Sequence, residues 1–202
     1  MAEAQAVNLT YEDGTRAVEL AREAVTSYVK NGQREQPGSM REAFYTRTGV
    51  FVRLSSTRGR GSLRGWAGAY EGSDQLGHAI VDWAISAASD ASCGSEVKPA
   101  ELSNLTVSVC VVLDVTESDD PIAELELGRH GVAIGAGGES TWMYPTLPIE
   151  HNWSKFEYLD RACRKAGLPK GAWEDPDVTV TLFEGQVFRE REPEGSIEEL
   201  TL

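Results

Sequence analysis

From Ala43 to Tyr70 the chain has no acidic residue and five arginines, Arg47, Arg53, Arg58, Arg60 and Arg64. Overall, 32 Asp and Glu stand against 19 Lys and Arg, for a net charge of −13. At the centre of this basic island, Ser62-Leu63-Arg64-Gly65-Trp66-Ala67-Gly68 sets one arginine beside two glycines and an indole. Arginine offers a rigid fork of N–H donors that matches carboxylate or phosphate. Glycines let a backbone or ligand approach closely, and an indole stacks on a flat group. A local excess of positive charge focuses anions. The pattern predicts an anion-binding cleft beside a strand over 63–70, with Arg64, Gly65, Trp66 and Gly68 at its centre and Arg53 and His130 as further ligand-binding candidates. A second account of the same residues pairs Arg53 and Arg64 with carboxylates of other segments. It leaves Arg58 and Arg60 solvated and makes the glycines mark a bulge or a tight crossing.

Other chemistry is sparsely signalled. The chain has no GxSxG, GxxxxGK[ST] or HExxH motif. Gly135, Gly137 and Gly138 do not open a helix, as a dinucleotide-binding turn requires, and fit a hairpin instead. His78, His130 and His151 are isolated, and Cys93, Cys110 and Cys163 lack CxxC spacing. No metal, disulfide framework, iron–sulfur cluster or other cofactor is expected from them. Cys110, in the run VSVCVVL, and Cys163, on the apolar stripe of a helix, read as small buried hydrophobes.

The elements that must position these residues are those of an α+β protein. Helices are expected from Thr15 to Lys30, from a cap at Ser73 through Leu76, Ile80, Trp83, Ala84 and Ala87, and after Ser154. At the last of these, Ser154 and Glu157 form a capping box and Gly167 with Pro169 marks the stop. Strands are expected over 49–54, 63–70, 105–113, 131–134, 140–144 and 178–188. Without strict βαβ alternation the sheet should be mixed and mostly antiparallel, with helices packed on it. The organisation expected is an N-terminal extension over 1–12, one domain of a larger and a smaller lobe over 13–190, and an acidic tail over 191–202, frayed or loosely docked.

With 41% hydrophobic residues and 202 positions the chain can bury a sizeable core, and no apolar run is long enough to cross a bilayer. No secretory leader is visible, so a cytoplasmic location is expected. The charge disfavours nucleic acid as a partner. Fourteen arginines against five lysines, with this acidity, fit a protein working in concentrated salt, where self-repulsion is screened.

The order of LRGWAG, a helix, LTVSVCVV, GRHGVAI, the Tyr144-Pro145 pair, EHNWSKFEYLDRACRKAGLPKGAW and FEGQVF resembles the AMMECR domain family, also called AmmeMemoRadiSam system protein A, over about residues 13–190. The resemblance implies an α+β fold of two lobes, and with the acidic, lysine-poor composition the chain reads as a haloarchaeal-like member. The resemblance also implies a working partnership with a Memo-like protein and a radical SAM enzyme. The family's motif, usually LRGCIG, falls on residues 63–68, where Trp66 replaces the Cys and Ala67 the Ile. No thiol nucleophile can therefore be carried over. SDASCGS at 89–95 replaces a DPRF-like segment, and Thr146 stands where relatives often have Gln.

Two functions compete on these grounds. One is an adaptor or binding component of that modification system, its cleft at Arg64 holding an anionic metabolite or an acidic peptide. The other is an enzyme acting on a phosphate- or carboxylate-bearing small molecule, with Arg64 holding the anion and His130 or Asp82 moving the proton.

Overall fold

A computed structural model describes residues 8–38, 41–58, 62–90 and 95–200. Contacts divide the described residues into two compact units, unit 1 comprising those up to Val112 and from Gln186 on, and unit 2 comprising Leu113–Gly185.

Unit 1 is built on three antiparallel strands in the order β2 (Ser62–Ala69), β1 (Val50–Ser56), β3 (Leu105–Glu117), the last running on into unit 2. Val50, Val52 and Leu54 alternate along β1, and Val107, Val109 and Val111 along β3, so one face of the sheet is apolar. Helices α1 (Tyr11–Asn31) and α2 (Leu76–Ala88) cover it, with Leu20, Val25, Leu76 and Ile80 fully buried. α1 starts earlier than its apolar stripe, because Thr10 and Asp13 form a capping box. α2 is capped at Gln75 without a side-chain bond, not at Ser73.

One buried ion pair fastens this unit. The Arg22 Nε donates to Glu190 Oε1 at 2.9 Å, Arg22 Nη2 donates to the Leu105 carbonyl at 2.6 Å and to Glu190 Oε2, and Glu190 Oε2 accepts from the Val107 backbone N–H at 2.9 Å. The two side chains are 10% and 4% exposed, and the hydrogen bonds between them and to the backbone offset the cost of burying the pair.

Unit 2 contains the hairpin β4 (His130–Ala136) and β5 (Glu139–Met143), turning at Gly137-Gly138, with β4 also paired antiparallel to β6 (Thr179–Glu190). Two short helices, α3 (Pro121–Glu124) and α4 (Leu147–Glu150), precede α5 (Lys155–Lys165). The Ser154–Glu157 capping box starts α5 as its sequence requires. Its buried stripe of Tyr158, Leu159, Ala162 and Cys163 packs with Val132, Ile134, Val180 and Leu182. The Tyr158 hydroxyl lies 2.8 Å from the Tyr144 carbonyl and 3.0 Å from that of Met143, and burial pushes the phenol far above its ordinary pKa.

The α+β class and mostly antiparallel sheet agree with the sequence. Cys110 and Cys163 are both buried, and burial raises the Cys163 pKa; Cys93 lies outside the described residues.

The tail differs from expectation. Ile197–Leu200 forms β7 on β6, Glu198 pairs with Arg189 and Arg191 at 2.8 and 2.7 Å, and the Tyr11 hydroxyl donates to the Ile197 carbonyl at 2.6 Å. A strand added to a sheet edge is held by its backbone and by cross-strand charge pairs, so low apolar content did not leave it loose.

Candidate functional site

The centre of the basic island is a β-bulge. β1 and β2 pair residue for residue from Val50↔Ala69 to Leu54↔Gly65, and then the register shifts so that Ser55 faces Leu63. Arg64 is the extra residue, re-aimed by the bulge. Gly65 makes this possible, because a Cβ there would run into the Ala87 carbonyl oxygen at the end of α2.

The re-aimed guanidinium is engaged through Nε and Nη2. Arg64 Nε donates to Glu101 Oε1 at 2.7 Å, and Nη2 donates to Glu101 Oε2 at 3.1 Å and to the carbonyls of Ser95 and Glu96 at 2.8 and 3.1 Å. Glu101 Oε2 also accepts from the Lys98 backbone N–H at 2.8 Å. The Arg64 side chain is 13% exposed, and its hydrogen bonds hold the Glu101 carboxyl below the usual glutamate range. The fork expected to face an anionic ligand is thus closed on an internal carboxylate and two carbonyls. It straps the 95–101 segment to β2, the outermost strand of its order.

Arg53, Trp66 and Gly68 are placed differently. Arg53 is aligned with Trp66 of β2 and Ser108 of β3, and one step along, Phe51 is aligned with Gly68 and Cys110. Aligned residues share a face, here the one opposite the apolar cluster under α1 and α2. A Cβ on Gly68 would collide with the Phe51 ring and the Val50 carbonyl, so the glycine is required by close packing. Arg53 and Trp66 are half-buried side by side, an arginine and an indole at cross-strand contact distance. Of the other arginines, Arg47 Nη1 donates to the Ser73 carbonyl at 3.1 Å, Arg58 is exposed, and Arg60 lies outside the described residues.

His130 belongs to unit 2. It lines a hollow of about 160 Å³ with Asp114, Thr116, Glu124, Leu182 and Glu184. Its Nδ1 accepts from the Glu126 backbone N–H at 3.0 Å, which places the ring proton on Nε2, 3.5 Å from Glu184 Oε1. Three carboxylates around this imidazole make the hollow a poor seat for an anion. Asp82, the other expected proton carrier, is held by Arg34 Nε and Nη2 at 2.7 and 3.0 Å. Thr146 is buried at the start of α4. Among the described residues no cluster of His, Cys, Asp or Glu is arranged to hold a metal ion, and no helix is long and apolar enough to cross a membrane.

Sequence reasoning missed Glu101. It lies 37 positions from Arg64, and nothing local marks it as a partner except its place two residues after Pro99, at the start of a short 3₁₀ turn.

Residues 18–188, from α1 through β6 with the bulge between, match the family model AMMECR1. The chain belongs to the AMMECR1 family. A protein of Halobacterium salinarum is 64% identical over 209 residues, covering all of both chains. A protein of Methanopyrus kandleri is 37% identical over 202 residues, covering 96% of each. The crystal structure of an uncharacterized protein from Pyrococcus horikoshii is similar with a TM-score of 0.90 at 32% identity, over 96% of this chain and 99% of that one. In this AMMECR1 protein the motif segment is LRGWAG, with an indole at position 66.

Proposed function

We propose that the protein is a binding or adaptor component of a modification system that includes a Memo-like protein and a radical SAM enzyme. It holds a carboxylate or phosphate group at Arg53 and Trp66. The observation that carries this reading is the alignment of Arg53 with Trp66 across β1 and β2, on the sheet face opposite the apolar cluster. A guanidinium beside an indole suits a flat anionic group, one by charge and hydrogen bonds and the other by stacking. Arg64, Gly65 and Gly68 then serve as scaffold: Arg64 holds the 95–101 strap, and the glycines allow the bulge and the close packing. The replacement of a thiol by Trp66 fits binding better than covalent catalysis.

The test is titration of the full chain with inorganic phosphate and with citrate, read by thermal unfolding and by tryptophan fluorescence. Stabilisation that is lost in Arg53→Ala and in Trp66→Ala, but retained in Arg64→Lys, supports the reading. No response to either anion, together with failure to recover a Memo-like or radical SAM protein from the native host in high salt, overturns it.

A further inference from the structure

A second stretch of positive charge lies in unit 2. Residues 155–170 carry Lys155, Arg161, Arg164, Lys165 and Lys170 against only Glu157 and Asp160, so three of the chain's five lysines fall within one helix and the loop after it. Two of these cations are spread over indoles. The Arg161 guanidinium carbon is 4.2 Å from the ring centroid of Trp153, on which His151 also stacks at 4.7 Å, and Lys165 Nζ is 4.8 Å from the ring centroid of Trp142. Arg161 and Lys165 are one helical turn apart, so the two stacks lie side by side along α5. Arg164, between them in sequence, is exposed. Phe156 of the same helix is 56% exposed, its ring 6.0 Å from that of Trp173.

Most arginines of this chain are placed against carboxylates. Arg16, Arg22, Arg34, Arg41, Arg64, Arg129, Arg189 and Arg191 each reach a carboxylate within ion-pair distance. Among the described residues Arg161 and Arg164 have no carboxylate within that distance, as is also true of Arg47 and Arg58 in unit 1, and what sets Arg161 apart is the indole beneath it. Positive charge near a helix C-terminus complements the helix dipole, which accounts for Arg164 and Lys165. It does not account for Arg161, which sits before the last turn and lies over an indole supplied by another segment. A guanidinium resting on an aromatic ring is restricted in position while its N–H groups can still donate, so less freedom is lost when a carboxylate arrives.

We propose that the outer face of α5, with the Trp153 and Trp142 stacks beside it, is a docking surface for an acidic peptide segment of a partner protein that carries apolar side chains among its carboxylates. The carboxylates meet Arg161 and Arg164, Lys165 Nζ being held on the Trp142 carbonyl at 2.6 Å, and an apolar side chain covers Phe156. Charge complementarity selects this occupant: the strip is basic on a chain whose net charge is −13, so the partner is acidic where it touches. The exposed phenyl ring selects a peptide over nucleic acid, since burial of Phe156 keeps its value when salt screens the ion pairs. This surface is distinct from the Arg53–Trp66 pair of unit 1 and stands or falls independently of it.

The test uses the full chain and three probes at low and at molar KCl. They are a synthetic peptide of alternating Glu and Leu, the same peptide with Gln for Glu, and single-stranded polyuridylate. Binding is followed by tryptophan fluorescence and by backbone amide shifts. The Glu–Leu peptide is expected to bind, with amide shifts centred on 153–165, and about tenfold more weakly to the Arg161→Glu, Arg164→Glu double variant. Arg164→Ala, which leaves both indole stacks intact, should weaken binding by a smaller factor. It controls against misfolding of the double variant, as does an unchanged melting temperature. Equal binding of the Glu and Gln peptides, binding unaffected by either variant, shifts elsewhere in the chain, binding of polyuridylate alone, or no binding at all would each overturn the proposal.

Discussion

In β2 the Arg64 guanidinium ends on Glu101 and the carbonyls of Ser95 and Glu96, whereas in α5 the Arg161 guanidinium ends on the ring of Trp153 with no carboxylate in reach among the described residues. Both arginines lie in stretches where basic residues outnumber acidic ones, and by local charge alone residues 43–70 are the more basic of the two. Yet the more basic stretch has its central arginine turned inward. What a guanidinium is available for is decided by which acceptors the fold brings within about 3 Å, and those acceptors come from distant segments. A bulge aims Arg64 at a strap that supplies both a carboxylate and carbonyls, while α5 exposes its arginines on the side away from its buried stripe.

The contrast can be broken most severely at Gly65. Gly65→Ala puts a methyl group into the Ala87 carbonyl and should cost about 1–3 kcal/mol or more in chemical denaturation, because backbone on both sides resists the shift. Arg64→Ala should cost about 1–2 kcal/mol, the value of charge-assisted hydrogen bonds discounted for a Glu101 side chain that is 35% exposed. A loss near zero would mean that the strap carries no stability. The pair also sets a pH dependence. Glu101 is held below its ordinary value of 4.5 by Arg64, so its contribution is present above that value and fades as pH falls through the folded-state pKa. The stability difference between wild type and Glu101→Gln should therefore shrink steadily from about pH 6 to pH 3, and a difference that grew on acidification would contradict the pairing. Arg164→Ala in α5 should change stability by less than about 0.5 kcal/mol, since the exposed side chain fastens nothing in the fold. Across the whole molecule, the unfolding midpoint should rise from about 0.1 M to molar KCl if the excess of acids is an adaptation to salt.

How far the sequence speaks for the structure follows the same division. α5 is legible because its start and its stop are both written locally, in the Ser154–Glu157 box and in Gly167. The strands around the basic island are legible from their β-branched runs, and the Gly-flanked Arg64 correctly signalled a bulge as one of two accounts. The β7 strand was not legible, since Ile-Glu-Glu-Leu has too little apolar content to announce itself and is fixed by pairing with β6 and by Arg189 and Arg191. The partner of Arg64 was not legible either, because Glu101 and the two carbonyls are joined to it only through the folded chain. For the same reason the sequence sets His130 beside the arginines, although it sits among carboxylates in unit 2.

The most direct test of the difference between the two arginines is a nitrogen–proton correlation spectrum of the arginine Nε–H groups, recorded with increasing inorganic phosphate. An Arg64 Nε–H locked on Glu101 at 2.7 Å should exchange slowly with water and stay unmoved by phosphate, while that of Arg161 exchanges fast. A rapidly exchanging Arg64 Nε–H that shifts as phosphate is added would contradict the account.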